Sequence, residues 1–147
     1  MKAVIQRVSR ARVLVDGQQV AAIGAGLLVL LGVEHGDGED QVAYFADKLP
    51  RLRIFEDAQR RMNRALVEVG GELLLVSQFT LVGRLEKGRR PSFVDAAAPE
   101  EARRLYEMLA ERLRQAGVPV QTGRFQEFMQ VELTNSGPVT FLLERRP

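Results

Sequence analysis

Met129-Gln130-Val131-Glu132-Leu133-Thr134-Asn135-Ser136-Gly137-Pro138-Val139-Thr140-Phe141-Leu142-Leu143 sets two apolar, β-prone runs on either side of a stretch built to change direction. Asn and Ser favour turns through local side-chain hydrogen bonds, Gly through its access to positive φ, and Pro through a φ fixed at about −65°. Read from these residues alone, the segment is a hairpin, with strands Met129 to Leu133 and Val139 to Leu143 and Thr134 to Thr140 as its tip. The Gly137-Pro138 bond adds a second feature, because an X-Pro bond loses most of its preference for trans. A cis bond would turn neighbouring carbonyls the same way, and such a pair of backbone acceptors suits an ammonium group.

Working outward, Leu73-Leu74-Leu75 runs into Val76-Ser77-Gln78-Phe79-Thr80-Leu81, so a buried strand ends in three polar side chains around one aromatic ring. Leu66 to Val69, Gly70-Gly71 and Glu72 to Leu81 read as a further hairpin that delivers this strand end. Just beyond it, Arg84, Glu86, Lys87, Arg89 and Arg90 form a basic loop, which reads either as solvated surface or as phosphate contact.

At the N-terminal end, Lys2 to Val8 and Arg12 to Val15 read as strands, and Asp16-Gly17 is a two-residue hairpin signal leading to a partner strand that ends near Ile23. Leu27 to Val33 is a continuous apolar run, the pattern of a strand buried on both faces. The glycine-rich stretch Gly32 to Gly38 lacks the spacing of a nucleotide-binding loop and reads as a connection. His35, the single histidine, stands in it as an exposed turn residue rather than a catalytic base. Helical spacing follows from Glu39 through Val42, Phe45, Ala46 and Leu49, with Pro50 expected to end or kink the helix. Arg53 to Phe55 reads as a short strand and Glu56 to Arg64 as a loop.

Pro99, Glu100 and Glu101 suit a helix start. Ala102, Leu105, Tyr106, Leu109, Leu113 and Ala116 form one apolar stripe, closed by Gly117. Val118 to Thr122 is a short strand and Gly123 to Glu127 a loop. These elements add up to an α+β fold with many short strands, mostly antiparallel, and two helices on the outside.

With 147 residues, 46% of them hydrophobic, the chain fits one domain over residues 1–147. No run of about 18 apolar residues suggests a membrane span, and no signal peptide pattern opens the chain. Zero cysteines and one histidine exclude disulfides, thiol catalysis and a zinc cluster, and fit a reducing, cytosolic setting. No metal or other cofactor is expected. The formal net charge is only +2, but most of the basic residues are Arg, which suits bidentate recognition of phosphate.

Together, Ser77-Gln78-Phe79-Thr80-Leu81 and Asn135-Ser136-Gly137-Pro138-Val139-Thr140 resemble the two signature motifs of the D-aminoacyl-tRNA deacylases, also called D-tyrosyl-tRNA deacylases, in that family's order. The resemblance spans nearly the whole chain, through Met1 to Val13, Gly26 to Val33, Leu52 to Asp57, Met62-Asn63, Gly70 to Leu81, Lys87 to Phe93, Gly117 to Phe125 and Met129 to Leu133. Val82 to Glu86 and Pro50 depart from the family's pattern.

The resemblance implies a β-barrel-like fold and hydrolysis of the ester that joins a D-amino acid, or glycine, to tRNA, with L-aminoacyl-tRNA spared. It assigns catalysis to Ser77, Gln78 and Thr80, substrate binding to Phe79, Asn135, Gly137, Pro138 and Thr140, and tRNA contact to Lys87, Arg89 and Arg90. It also implies a homodimer with active sites shared across the interface, and aminoacyl-tRNA rather than DNA or a membrane as partner. Thr80 stands open to two roles, nucleophile or positioning group; without a neighbouring base in the motif, positioning is favoured. Two other readings compete: a tRNA- or RNA-binding module without turnover, and a hydrolase of small D-amino acid esters.

Overall fold

A computed structural model describes residues 1–147. Its spine is strand β1 (Lys2–Val15), which turns through Asp16-Gly17 into β2 (Gln18–Ile23). Both turn residues take positive φ, 50° and 76°, as a two-residue hairpin of matching twist requires. The two separate strands expected before Asp16 are one. Residues 2–8 pair with β3 (Gly26–Gly32), residues 11–15 pair with β2, and the change of partner falls in the polar Ser9-Arg10 stretch that reads as a break.

Helix α1 (Glu39–Arg51) then crosses the sheet. Pro50 lies inside it, one residue before the end, so the helix stops just after the residue expected to end it. The next residues differ from expectation. Strand β4 (Phe55–Glu56) pairs with β5 (Met62–Arg64), so the stretch read as a loop holds half of a small separate hairpin. Residues 65–70 are turns, closed by Gly71 N–H donating to the Leu66 carbonyl, and not a strand.

Strand β6 (Glu72–Ser77) therefore has no hairpin partner before it; it lies parallel to β3, from Gly26 opposite Glu72 to Leu31 opposite Ser77. Leu73 to Val76 is apolar on both faces, and a doubly buried strand goes to the middle of a sheet, reached by a crossover. Helix α2 (Pro99–Gln115) makes the next crossover, to β7 (Val120–Thr122), again parallel to β6. Pro99 sits at its first turn with Glu100 and Glu101, and Gly117 at φ 84° follows its end.

The last strand, β8 (Gln130–Glu144), contradicts the hairpin read at the C-terminal end. It does not reverse at Asn135 to Pro138. It runs antiparallel to β1 along nearly all of β1, from Gln130 opposite Leu14 to Glu144 opposite Lys2. The main sheet has the order β2-β1-β3-β6-β7, with β8 on the other edge of β1.

Pairing around β1 is antiparallel and the two outer pairings are parallel, so the fold is α+β with a mixed, mostly antiparallel, barrel-like sheet and two outer helices. Alternate residues of β3 and β6 face two cores. Leu27, Val29, Leu31, Leu73 and Leu75 pack under the helices with Phe45, Leu49, Leu105 and Leu109. Leu28, Leu74 and Val76 face the curled side with Val13, Ala21 and Ile23. No helix is long and apolar enough to cross a membrane.

The parallel β3–β6 contact is tight at its start, where a Cβ on Gly26 would lie 1.8 Å from the Glu72 carbonyl oxygen. Gly26→Ala must push the two strands apart. It is expected to lower stability by at least about 2 kcal/mol, read as a shift of the urea midpoint with unchanged slope.

Candidate active site

The Gln78 N–H makes the last bond of β6 to β3, donating to the Leu31 carbonyl at 2.7 Å, and Phe79–Val82 then winds into one 3-10 turn. The first N–H groups of such a turn, those of Phe79 and Thr80, find no acceptor within it. The turn can sit this close to β3 because residue 32 is glycine; a Cβ there would meet the Leu81 Cβ at 3.1 Å and the Gln78 carbonyl at 3.2 Å.

Phe79 and Thr80 are exposed, and Gln78 Nε2 donates to Thr80 Oγ1. Phe79 leans on Phe93 with ring centroids 5.0 Å apart. Ser77, Gln78 and Phe79 line a cavity of about 750 Å³ whose other walls are mostly apolar: Val76, Phe93, Ala96 to Pro99 and Phe125 to Met129. Phe128 stands at its rim, 88% exposed.

No basic group is hydrogen-bonded to Thr80, whose only side-chain partner is Gln78. His35 is exposed and lines a different, polar cavity with Lys2, Arg84 and Arg146. Tyr106 is no acid or base either: burial pushes its phenol far above the usual range, and its hydroxyl donates to the Leu75 carbonyl at 2.8 Å, fastening α2 to β6. No cluster of three or more His, Cys, Asp or Glu is placed to hold a metal ion. In the basic loop, Arg84 is engaged by Asp95. Lys87, Arg89 and Arg90 are exposed and pair with no carboxylate.

The second motif is a bulge in β8. Asn135 lies opposite Val8 and Thr140 opposite Gln6, so Ser136 to Val139 face Arg7 alone and are thrown out of the ladder. The Gly137-Pro138 peptide is cis, and both residues are exposed. Asn135 and Thr140 brace the bulge from within: Asn135 Oδ1 accepts from Val139 N–H at 2.9 Å, and its Nδ2 donates to Thr140 Oγ1 at 2.9 Å.

The sequence reading missed Arg7. This buried guanidinium donates through Nε to the Ser136 carbonyl at 3.0 Å and through Nη1 to the Ile54 carbonyl at 2.8 Å. The available signal was a charge at an inward position of β1, continuing the alternation of Ala3 and Ile5.

Within one chain the two motifs do not meet. Ser77 pairs across to Leu31, Leu31 to Ala3 and Ala3 to Leu143, so the motifs are three strand spacings apart laterally. Arg7 lies four residues further along β1. At about 4.8 Å per strand and about 3.3 Å per residue the separation is roughly 20 Å.

An α+β barrel thus carries amide and hydroxyl groups at a strand end beside an apolar cavity. Residues 4–144 match the family described as D-Tyr-tRNA(Tyr) deacylase, and the chain belongs to that family. A D-aminoacyl-tRNA deacylase of Heliobacterium modesticaldum is 57% identical over 146 residues, 99% of this chain and 97% of that one. One from Geobacter sp. strain M21 is 58% identical over 147 residues, 100% of this chain and 99% of that one. Among solved structures, the c-Myc DNA Unwinding Element Binding Protein shares 40% identity and a TM-score of 0.95, with all of both chains covered. A probable eukaryotic D-amino acid tRNA deacylase, 20% identical with a TM-score of 0.80 over 97% of each chain, shares the fold.

Gly137 takes φ 126°, and a Cβ on it would lie 2.8 Å from both Arg7 Nη2 and Val139 Cγ2. Gly137→Ala is expected to displace the exposed bulge and cut activity at least tenfold while the melting temperature moves only a few degrees. Gly70→Ala, also at positive φ but with nothing within 4 Å, is the control that keeps full activity.

Proposed function

We propose that the chain, acting over residues 1–147 as one cytosolic domain, hydrolyses the ester between a D-amino acid, or glycine, and the terminal ribose of tRNA, and rejects L-aminoacyl-tRNA. The observation that carries this reading is the strand-end motif itself. Ser77, Gln78 and Phe79 line an apolar cavity, and Thr80 beside them has Gln78, not a base, as its side-chain partner.

An aminoacyl ester is a reactive substrate, so the site has to orient water and hold the developing oxyanion more than supply a strong nucleophile. The N–H groups of Phe79 and Thr80 are oriented donors for that oxyanion. Thr80, held by Gln78, positions rather than attacks. The ribose 2′-hydroxyl of the substrate assists the water, and the Phe79 ring takes a face of the terminal nucleoside. Lys87, Arg89 and Arg90, unpaired beside this turn, contact tRNA phosphates.

Chirality is read by the Gly137 and Pro138 carbonyls, which accept from the α-ammonium while rigid backbone excludes an L side chain. Asn135 and Thr140 act by bracing that backbone. The separation of roughly 20 Å within a chain supports a homodimer in which the bulge of one subunit completes the strand-end site of the other.

A deacylation assay on D-Tyr-tRNA, L-Tyr-tRNA and the free ethyl ester of D-tyrosine tests the assignment. Rapid turnover of the first alone is expected, with Thr80→Ala retaining measurable activity and a substrate ending in 2′-deoxyadenosine hydrolysed very slowly. Equal rates on both enantiomers would remove the chiral role of Gly137-Pro138, and turnover of the ethyl ester at a comparable rate would favour a small-ester hydrolase.

Mixed dimers test the sharing. A chain disabled at Gln78 and Thr80 is refolded with one disabled at Gly137, each inactive alone. About half the dimers are mixed, and one of the two sites in each is intact, so roughly a quarter of wild-type activity should return. If mixed dimers form and the activity stays at zero, both motifs serve from the same chain.

A further inference from the structure

The β4–β5 hairpin lies outside the main sheet and carries Arg53, Arg60, Arg61 and Arg64, all exposed. None has a carboxylate within ion-pair distance, unlike Arg12, Arg84, Arg103, Arg104 and Arg112, which all face one. The nearby acids bond to other groups, although Asp57 and Glu68 accept only from neutral N–H donors and keep their charge. Asp57 Oδ1 accepts from the N–H groups of Gln59 and Arg61 at 2.9 and 3.0 Å, and Oδ2 from Asn63 Nδ2 at 3.2 Å. Glu56 faces Arg7 at 3.8 Å, and Glu68 accepts from the Ala65 N–H.

Arg53 and Arg64 are oriented by the Asn63 and Glu68 carbonyls, which fix a guanidinium without neutralising it. Arg60 and Arg61, at the tip, donate no side-chain hydrogen bond. Four guanidiniums without an ion-pair partner outnumber the two acids of the hairpin, Glu56 and Asp57, and form an anion-binding surface suited by geometry to bidentate contact with phosphate.

Its place in the fold ties it to the proposed site. Arg7 joins the Ile54 carbonyl, at the root of the hairpin, to the Ser136 carbonyl in the bulge, so one buried guanidinium holds both. Wherever Gly137-Pro138 docks, the hairpin follows. We propose that this hairpin is a second tRNA-phosphate contact, supplied by the subunit that supplies Gly137-Pro138. The tRNA is then gripped from both sides, by residues 87–90 of the subunit holding the terminal adenosine and by the hairpin of its partner. The proposal rests on the shared-site reading above.

The test uses the full-length protein with Arg60→Gln and Arg61→Gln together, and Arg60→Lys and Arg61→Lys as the charge-keeping pair. For D-Tyr-tRNA, KM should rise about tenfold with kcat nearly unchanged. The slope of log(kcat/KM) against log salt should shrink by about 1 to 2, one for each lost phosphate contact. The Lys pair should recover most of the loss. The loss should be selective for tRNA, with D-tyrosyl-adenosine, which has no phosphate, affected at most twofold. An unchanged KM and salt slope, or equal losses on both substrates, would overturn the proposal.

Binding of uncharged tRNA, measured in parallel, should weaken by a similar factor and does not depend on turnover, so it decides the hairpin's role even if the deacylase reading fails. Duplex DNA of equal charge competing as well as tRNA would make the hairpin a general polyanion surface and also overturn the proposal. In mixed dimers, the Gln pair should raise KM when carried by the chain with the strand-end lesion, which donates the working bulge, and not when carried by the chain with the Gly137 lesion. The reverse result would refute the assignment to the donor subunit.

Discussion

The pairing of β1 with β8 is the constraint on which the rest of this structure depends. β8 holds its register at both ends of β1, at Leu14 and at Lys2. It has more residues than the stretch of β1 it covers, and the excess leaves the ladder opposite Arg7. A backbone segment expelled from a sheet must satisfy its own polar groups. Here Asn135 accepts the Val139 N–H and Arg7 donates to the Ser136 carbonyl. The bulge is thus shaped by a long strand pair and two side chains, and the exposed Gly137 and Pro138 are carried on a rigid base rather than on a loose loop tip.

The strand-end motif depends on a different part of the same sheet. Parallel pairing of β6 with β3 brings Ser77 level with Leu31, and Gly32 lets the following turn fold back against β3. The apolar runs that make β3 and β6 central strands therefore also fix where polar groups emerge. Phe93 supports Phe79 from below, so an exposed ring is held in place by packing. Neither His35, which lines a separate cavity, nor the buried Tyr106 phenol, bonded to the Leu75 carbonyl, is hydrogen-bonded to Thr80.

Charge is arranged with similar economy. On α2, Arg103, Arg104 and Arg112 are matched by Glu107, Glu101 and Glu39, which keeps that outer face close to neutral. Basic groups without an ion-pair partner cluster on the 87–90 loop and the β4–β5 hairpin, one beside each motif. A small formal net charge therefore conceals two unpaired basic surfaces.

Local sequence determined a good deal by itself. Asp16-Gly17 specified a tight hairpin through positive φ, Pro99 and Gly117 bracketed α2, and the unbroken apolar runs at Leu27 and Leu73 announced strands buried on both faces. The chemistry-bearing residues at Ser77 to Thr80 and at Asn135 to Thr140 were legible for the same reason: their types are unusual beside such runs. What only tertiary structure decided were partners. Asn-Ser-Gly-Pro suits a hairpin tip and a bulge alike, since both draw on glycine's access to positive φ and on local side-chain hydrogen bonds. The choice between them was made by β1, more than a hundred residues away. Gly70-Gly71 likewise reads as a hairpin turn until β3, on the other side of α1, claims β6 as a parallel neighbour. The role of Arg7 arises wholly from contacts with Ile54 and Ser136, which lie 47 and 129 positions along the chain. Sequence-local rules report what a backbone segment prefers, whereas the hydrogen-bond partners of a strand come from wherever the sheet closes.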